Sequence, residues 1–230
     1  MSGLTFSVAG RFSRDFIAYI VRHAAKEDTE HSYGGWAMAY CYGTLLQRVG
    51  GICSPRGRFD LRALAEVKTD MALVHLYEKG EDNDPERKQP FVRHDRDGAW
   101  AFCHDGTVAR PELLQTGERI VTSTDPSERL FLHALASFDA DDPVETMRAV
   151  HTGLEQEPEQ GLFLMSPDVL VASSWHEGED AEGEARLWVG RTGLLRMLAP
   201  FPLESLERCE WEPVPNRTVV AMTRFRHEGS

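Results

Sequence analysis

The chain has 230 residues, of which 41% are hydrophobic and 27% are charged, as in globular proteins with a packed core. Its formal net charge of −12 argues against binding to nucleic acids or anionic membranes, because both interactions need clustered lysine and arginine. The four cysteines show no CxxC spacing, so neither a zinc site nor a disulfide framework is predicted. We expect a cytoplasmic protein with one domain over residues 1–230, without a metal, a cofactor, a signal peptide or a membrane span.

Hydrophobic periodicity predicts the elements of the first half. Leu4–Val8 alternates like a half-buried strand, and Arg14–Lys26 carries apolar residues at helical spacing. Short aromatic or β-branched runs bounded by turn residues predict strands over Gly34–Tyr42, Ala72–Leu76 and Trp100–Cys103.

The second half begins with two predicted helices. Asp125 fits the N-cap of the first helix, Pro126 its first position, and Glu128 its third position, as in a capping box. The second helix is predicted over Val144–Leu154. Strands follow over Gly161–Ser166, Asp168–Ser174, Arg186–Val189, Leu194–Leu198 and Thr218–Thr223. This order predicts an α+β fold with two sheets whose outer faces are covered by helices.

Residues Lys88–Gly106 are the most informative segment. They predict a strand, a polar turn and a second strand that runs directly into His104, Asp105 and Gly106. Gly106 is free to adopt a positive φ and to bring backbone N–H groups close to a ligand. Such a turn is a common way to hold an oxyanion near a nucleophile.

Several short motifs occur in an order that resembles a known family. They are Met1–Leu4, His31–Ala37, Ala72–Tyr77, Gln89–Phe91, Trp100–Gly106, Thr124–Glu128, Leu170–Ser173 and Trp211–Pro215. The chain resembles the class II glutamine amidotransferases of the N-terminal-nucleophile hydrolase superfamily. It is most similar to the small stand-alone branch that includes the ergothioneine-pathway γ-glutamyl amidohydrolases. The resemblance implies a four-layer αββα sandwich.

The resemblance also implies roles for particular residues. In the family, a Cys at position 2 becomes the nucleophile after removal of Met1, and its own α-amine acts as the base. An Asn side chain and a Gly N–H stabilise the oxyanion, an Arg binds the substrate carboxylate, and an Asp holds the ammonium. The corresponding catalytic positions here are Ser2, Asp105 and Gly106, and the substrate-binding positions are Tyr77, Asp125, His75 and Trp36.

Three of these positions depart from the family chemistry. Ser2 replaces Cys, and a hydroxyl depends more heavily on its base because its pKa is far above that of a thiol. Asp105 replaces Asn, and an ionised carboxylate cannot donate a hydrogen bond to an oxyanion. Tyr77 replaces Arg and carries no charge; Lys79 and Arg93 are cations that could substitute, although the sequence does not place them.

The other candidates also have structural explanations. Asp125 is shifted by one residue from the family register and is already explained as an N-cap. His75, His104 and His31 are more often packing or hydrogen-bonding residues than catalysts, and Trp36 is expected in the core. In the family motif at His31–Ala37, Tyr33 and Ala37 stand where Asp and Gly are usual.

Three functions follow from these departures. The first is a binding or regulatory protein that has lost ordinary glutaminase activity and holds a small-molecule amide or a protein partner. The second is an active amidohydrolase that uses Ser2 as the nucleophile on an amide other than glutamine. The third is a structural or assembly role, with a homodimer as the expected arrangement.

Overall fold

In a computed structural model of the protein, the described residues are 3–29, 31–80, 88–96, 98–137, 139, 142–154, 159–176 and 186–224. Met1 and the predicted nucleophile Ser2 lie outside them. The strands of the described residues are β1 (Gly3–Ala9), β2 (Tyr33–Tyr42), β3 (Leu45–Ile52), β4 (Met71–Glu78), β5 (Phe91–Asp95), β6 (Gly98–Gly106), β7 (Glu159–Met165), β8 (Val169–His176), β9 (Trp188–Thr192), β10 (Leu195–Ala199), β11 (Glu210–Pro213) and β12 (Val219–Thr223). The α-helices are α1 (Arg14–Glu27), α2 (Pro126–Ala136) and α3 (Pro143–Gly153).

The strands form two antiparallel sheets. The seven-stranded sheet has the order β11-β9-β10-β1-β4-β2-β3, and the five-stranded sheet has the order β12-β8-β7-β6-β5. The first strand of the chain, β1, pairs with β10 on one side and with β4 on the other. Strand β1 therefore lies in the middle of the seven-stranded sheet.

Three hydrophobic clusters define four layers. One cluster joins the outer face of the seven-stranded sheet to α1, through residues such as Phe6, Ile17 and Ile20. A second lies between the two sheets. The third joins α2 and α3 to the outer face of the five-stranded sheet, where Phe102 and Phe131 stack. These layers confirm the predicted αββα sandwich.

The predicted start of α2 is confirmed, but its capping box is not. The Asp125 carboxylate accepts a hydrogen bond from the Ser127 N–H at 2.9 Å, as an N-cap does. Glu128 does not return to the Asp125 N–H, which instead donates to the Ser123 hydroxyl at 3.2 Å. The buried Glu128 carboxylate accepts from the N–H groups of Thr122 and Ser123 and pairs with Arg93 of β5. Burial opposes its charge, yet these hydrogen bonds lower the pKa of Glu128 below its ordinary value.

Two edge strands were not predicted from the sequence. Strand β3 contains Gly50 and Gly51 and is only partly buried, so its pattern is weak. It forms because its backbone pairs with β2 along its whole length. Strand β11 has only four residues and pairs with β9. No helix in the described part of the chain is long and apolar enough to cross a bilayer.

Candidate functional site

A cleft of about 490 Å³ opens between the two sheets at one end of the sandwich. The start of β1, the end of β6, the start of β7 and the loop after α1 converge there. Its walls are formed by Gly3, Leu4, Glu27, Asp28, Thr29, His31, Asp105, Gly106, Glu159, Gln160, Gly161, Ser174, Trp175, Arg186, Pro200 and Phe201. The cleft thus contains the two predicted oxyanion positions and the residue that follows Ser2 in the chain.

Strand alternation directs Asp105 into this cleft. Trp100 and Phe102 pack on the helix side of the five-stranded sheet, whereas Ala101 and Cys103 face the other sheet. Asp105 continues the second series, because side chains two residues apart lie on the same face of a strand. Gly106 then ends the strand with a φ of 141°, which confirms the predicted positive φ.

The close packing around position 106 also requires glycine. A Cβ atom at this position would lie 2.5 Å from the Glu159 carbonyl oxygen and 3.0 Å from Nε2 of His104. The first distance is too short for a real contact, and the contacting atom is backbone. The backbone of β6 can therefore approach β7 this closely only with glycine at position 106.

The electrostatic state of Asp105 is unusual. No described residue donates a hydrogen bond to its carboxylate, although Asp105 is accessible from the cleft. Desolvation by the cleft walls raises the pKa of Asp105 above the ordinary value, although the residue is exposed and the positive charges of His31 and Arg186 act in the opposite direction. An ionised Asp105 offers only acceptor oxygens to anything that enters the cleft.

Hydrogen bonds of His104 to α2 and β7 stabilise the turn at Asp105 and Gly106. Its Nε2 donates to Oε1 of Gln160 at 2.6 Å, and its Nδ1 lies 2.9 Å from the Ser127 hydroxyl. The Gln89 side chain holds the His104 backbone on both sides, by donating to its carbonyl oxygen at 3.0 Å and accepting from its N–H at 2.5 Å. Burial lowers the pKa of His104 to about 4. His104 is therefore a neutral, fixed support for Asp105 and Gly106.

Tyr77, which the sequence resemblance aligns with an Arg, lies at the end of β4. It is 3% exposed and pairs with both Gly3 of β1 and Gly35 of β2. Its hydroxyl donates to the Gly51 carbonyl oxygen at 3.4 Å. A Cβ atom on Gly35 would lie 2.1 Å from this hydroxyl oxygen, so the ring occupies the space above Gly35. Lys88, which the sequence did not suggest, has its Nζ 5.9 Å from the centre of the Tyr77 ring.

His75 lies between the sheets, beside this closed region. Its Nδ1 is 2.9 Å from the Thr5 hydroxyl oxygen. Burial, together with the positive charges of Lys88 and Arg48, lowers the pKa of His75 to about 3. The ring is therefore uncharged at neutral pH and cannot act as a general acid there.

Three other predicted residues point away from the cleft. Trp36 is fully buried on the α1 side of its sheet, where its indole N–H donates to the Asp60 carbonyl oxygen at 2.8 Å. Asp125 is occupied as the N-cap of α2. Arg93 pairs with Glu128. None of the three forms part of the cleft wall.

His31, which the sequence analysis weighed as an acid–base candidate, lies in the loop after α1, but its pairing with Asp28 was not predicted. His31 Nδ1 donates to both oxygens of Asp28, at 2.9 and 3.0 Å, and its Nε2 lies 3.6 Å from Oε1 of Glu78. Tyr33 also donates to Asp28, and burial together with this contact raises the Tyr33 pKa. The only signal in the sequence was the short spacing of Asp28, His31 and Tyr33 after a predicted helix.

The remaining walls are an ion pair and an aromatic surface. Arg186 donates to Oε2 of Glu159 at 2.7 Å. The Glu27 carboxylate accepts the N–H groups of Glu204 and Ser205 at 2.8 and 2.9 Å. Trp175 and Phe201 provide the large apolar side chains of the lining.

Comparison with known proteins identifies the fold. The chain matches glutamine phosphoribosylpyrophosphate amidotransferase from B. subtilis over 91% of its own length and 49% of that chain, with 14% identity and a TM-score of 0.65. It matches an allosteric regulatory enzyme of purine biosynthesis over 96% of its length and 47% of that chain, with 14% identity and a TM-score of 0.73. It therefore spans about half the length of these two enzymes.

A third match has a similar length. A glutamine aminotransferase class-II domain protein from Silicibacter pomeroyi shares 15% identity and a TM-score of 0.60, with coverage of 96% of this chain and 94% of that one. No family model matches the sequence, and no curated protein sequence matches it. The fold is that of class II glutamine amidotransferase domains, as the sequence motifs implied.

Proposed function

We propose that this protein uses an amidotransferase fold to bind a small molecule, and that it does not hydrolyse glutamine. The observation that carries this proposal is the pair of Asp105 and Tyr77. Asp105 faces the cleft as an acceptor, at the position that the resemblance assigns to an oxyanion donor, and Tyr77 stands at the position that the resemblance assigns to the carboxylate-binding Arg.

The electrostatic argument rests on the transition state. Amide hydrolysis builds negative charge on an oxygen, and removal of one donor from an oxyanion site typically costs about 100- to 1000-fold in rate. A carboxylate at that position does more than remove a donor, because it adds a like charge. The raised pKa of Asp105 does not help at neutral pH unless the carboxyl becomes protonated there.

The size of the cleft supports a small-molecule partner over a protein partner. Its volume of about 490 Å³ lies within the range of roughly 300–1000 Å³ that is usual for ligand pockets. A regulatory role would then consist of ligand binding in the cleft, with transmission to a protein partner or a second copy of the chain.

The direct test is ammonia release from glutamine by the purified protein. We expect no release above the uncatalysed background for the wild type or for Ser2→Ala. Turnover by the wild type that is lost in Ser2→Ala would refute the proposal. The variant Asp105→Asn, tested beside the wild type, measures how much of the missing glutaminase activity is due to this one carboxylate.

The position of Gly3 favours one alternative function. Gly3 is part of the cleft wall, so the chain enters the cleft directly after Ser2. An amidohydrolase that uses Ser2 on an amide other than glutamine would need a free α-amine on that residue. The intact mass of the purified protein decides this, because retained Met1 excludes the alternative.

A further inference from the structure

His31 lies where carboxylates from three elements meet. Asp28, the C-cap of α1, accepts from Nδ1 of His31 with both oxygens, at 2.9 and 3.0 Å. Glu78, at the end of β4, has its Oε1 3.6 Å from Nε2 of His31. Asp105 of β6 is close enough for the charge of a protonated His31 to act on it. One imidazole ring therefore lies beside a helix and a strand of each sheet, in the wall of the cleft.

The hydrogen bond to Asp28 determines the tautomer of His31. An ionised carboxylate only accepts hydrogen bonds, so Nδ1 of His31 must carry a proton. Tyr33 donates to Asp28 as well, and the Asp28 side chain is only 9% exposed, so two donors fix this carboxylate. In a neutral ring, Nε2 then has a lone pair and no proton. Since Nε2 lies 3.6 Å from a carboxylate oxygen of Glu78, the neutral ring places two acceptors next to each other.

A second proton on the ring reverses the contact with Glu78. The imidazolium donates from both nitrogens, so it can pair with Asp28 and Glu78 at the same time. The side chains of His31 and Glu78 are 29% and 40% exposed, so water can deliver this proton, and an ordinary histidine takes it up between about pH 5 and 8.

The other groups that face the ring do not oppose its protonation. Burial raises the pKa of Tyr33, so its hydroxyl is neutral in this pH range. Asp105, when ionised, favours the imidazolium further. The remaining charged groups of the described cleft wall are Glu27 and the ion pair of Glu159 with Arg186.

We propose that His31 is a proton-dependent clamp on the cleft wall. The protonated ring joins the end of α1 to the end of β4. When the proton is lost, the contact with Glu78 becomes repulsive and this part of the wall loosens. The clamp is therefore engaged under mildly acidic conditions and is released as the pH rises. It regulates the cleft whichever ligand binds there, and it does not depend on the absence of glutaminase activity.

Hydrogen exchange of the Lys79 amide measures the clamp. This N–H donates to the Ser32 carbonyl oxygen at 2.8 Å, which holds the residue after His31 against the segment after β4. We expect the protection factor of the Lys79 amide to fall about threefold between pH 6 and pH 8, a factor typical of a partly exposed ion pair. His31→Gln, which cannot be protonated, should show the lower protection at both pH values. His31→Arg, whose charge is permanent, should show the higher protection at both.

A second measurement follows the proton itself. In an NMR titration of the ring resonances, Glu78→Gln should lower the pH at which His31 is half protonated. Glu112→Gln, which removes an exposed carboxylate outside the cleft, should leave that pH unchanged. If Glu78→Gln fails to fold, the exchange of the wild type and the His31 variants still decides.

Three results would overturn the inference. They are equal Lys79 protection at pH 6 and pH 8 in the wild type, a pH dependence that persists in His31→Gln, and a His31 titration that Glu78→Gln does not change. Neither measurement contains a ligand or glutamine, so these results are distinct from failure of the proposed function.

Discussion

The region around Tyr77 and the cleft at Asp105 differ in both space and charge. The Tyr77 ring covers Gly35, and Lys88 lies over this ring. The cleft stays open from His31 to Phe201, and its walls carry the acids Asp28, Asp105 and Glu159 together with Arg186. Filled volume thus occurs beside a cation in one region, and open volume beside acids of mixed pairing in the other.

The difference between these two regions shows why the residues at positions 77 and 105 should be considered together when a ligand for the cleft is inferred. Tyr77 offers a carboxylate no positive charge, and its ring fills the space above Gly35. The negative charge at position 105 then lies next to the volume that stays open. The predictions below test first the region around Tyr77 and then the cleft.

Removal of the Tyr77 ring should have the largest effect. Tyr77→Ala leaves a cavity above Gly35, and loss of a large buried aromatic side chain typically costs about 3–5 kcal/mol. Tyr77→Phe should cost under about 1 kcal/mol, because the ring is kept and a long hydrogen bond of 3.4 Å to Gly51 is lost. Urea unfolding of both variants measures the difference. Equal costs would mean that the ring itself contributes little.

Addition of one methyl group in the region around Tyr77 should also destabilise the fold. In Gly35→Ala the new Cβ would lie 2.1 Å from the Tyr77 hydroxyl oxygen and 2.5 Å from the Gly51 carbonyl oxygen. Overpacking of this kind typically costs about 1–3 kcal/mol. Gly153→Ala is the matched control, because its Cβ would meet no atom within 4 Å. Similar unfolding free energies for the two variants would contradict the closed arrangement.

The buried histidines should make the protein sensitive to acid. His104 and His75 have folded-state pKa values of about 4 and about 3, below the value of about 6.5 for an unfolded chain. Their neutral forms support the fold above pH 6.5, and this stability is lost as the pH falls toward the folded values. The expected slope is about 1.4 kcal/mol per pH unit for each histidine.

The same measurement of unfolding free energy against pH identifies the contribution of His104. The unfolding free energy of His104→Gln should decrease less steeply than that of the wild type between pH 6.5 and 4.5. The exposed His94 is a control, and His94→Gln should keep the wild-type slope. An unchanged slope in His104→Gln would mean that His104 is not held neutral by the fold.

Asp105→Asn should have the smallest effect on stability and should act in the stabilising direction. The folded-state pKa of Asp105 is raised, so its charge disfavours the folded state at neutral pH. The difference should shrink as the pH falls through that pKa, because the wild-type carboxyl then becomes neutral as well. Melting temperatures of the two proteins from pH 7.5 to 4 measure it. A lower melting temperature for Asp105→Asn at pH 7.5 would contradict the raised pKa.

Much of the fold could be predicted because local patterns and tertiary structure agree. Leu4–Val8, Ala72–Leu76 and the Asp125 N-cap all appear where their periodicity or capping chemistry placed them. The edge strands β3 and β11 could not be predicted in this way. Their residues are partly exposed or glycine-rich, and they become strands by pairing with a neighbour.

The sequence by itself determined the layer architecture, the turn at Gly106 and the chemical identity of the residues at positions 77 and 105. Hydrophobic periodicity, the conformational freedom of glycine and side-chain chemistry are local properties that need no knowledge of contacts. Only the tertiary structure decided that the Tyr77 ring fills the space above Gly35 and that Trp36 faces α1. It also decided that Asp105 and Trp175 line the same cleft. These outcomes depend on which distant strands become neighbours, and that is fixed by the packing of the two sheets.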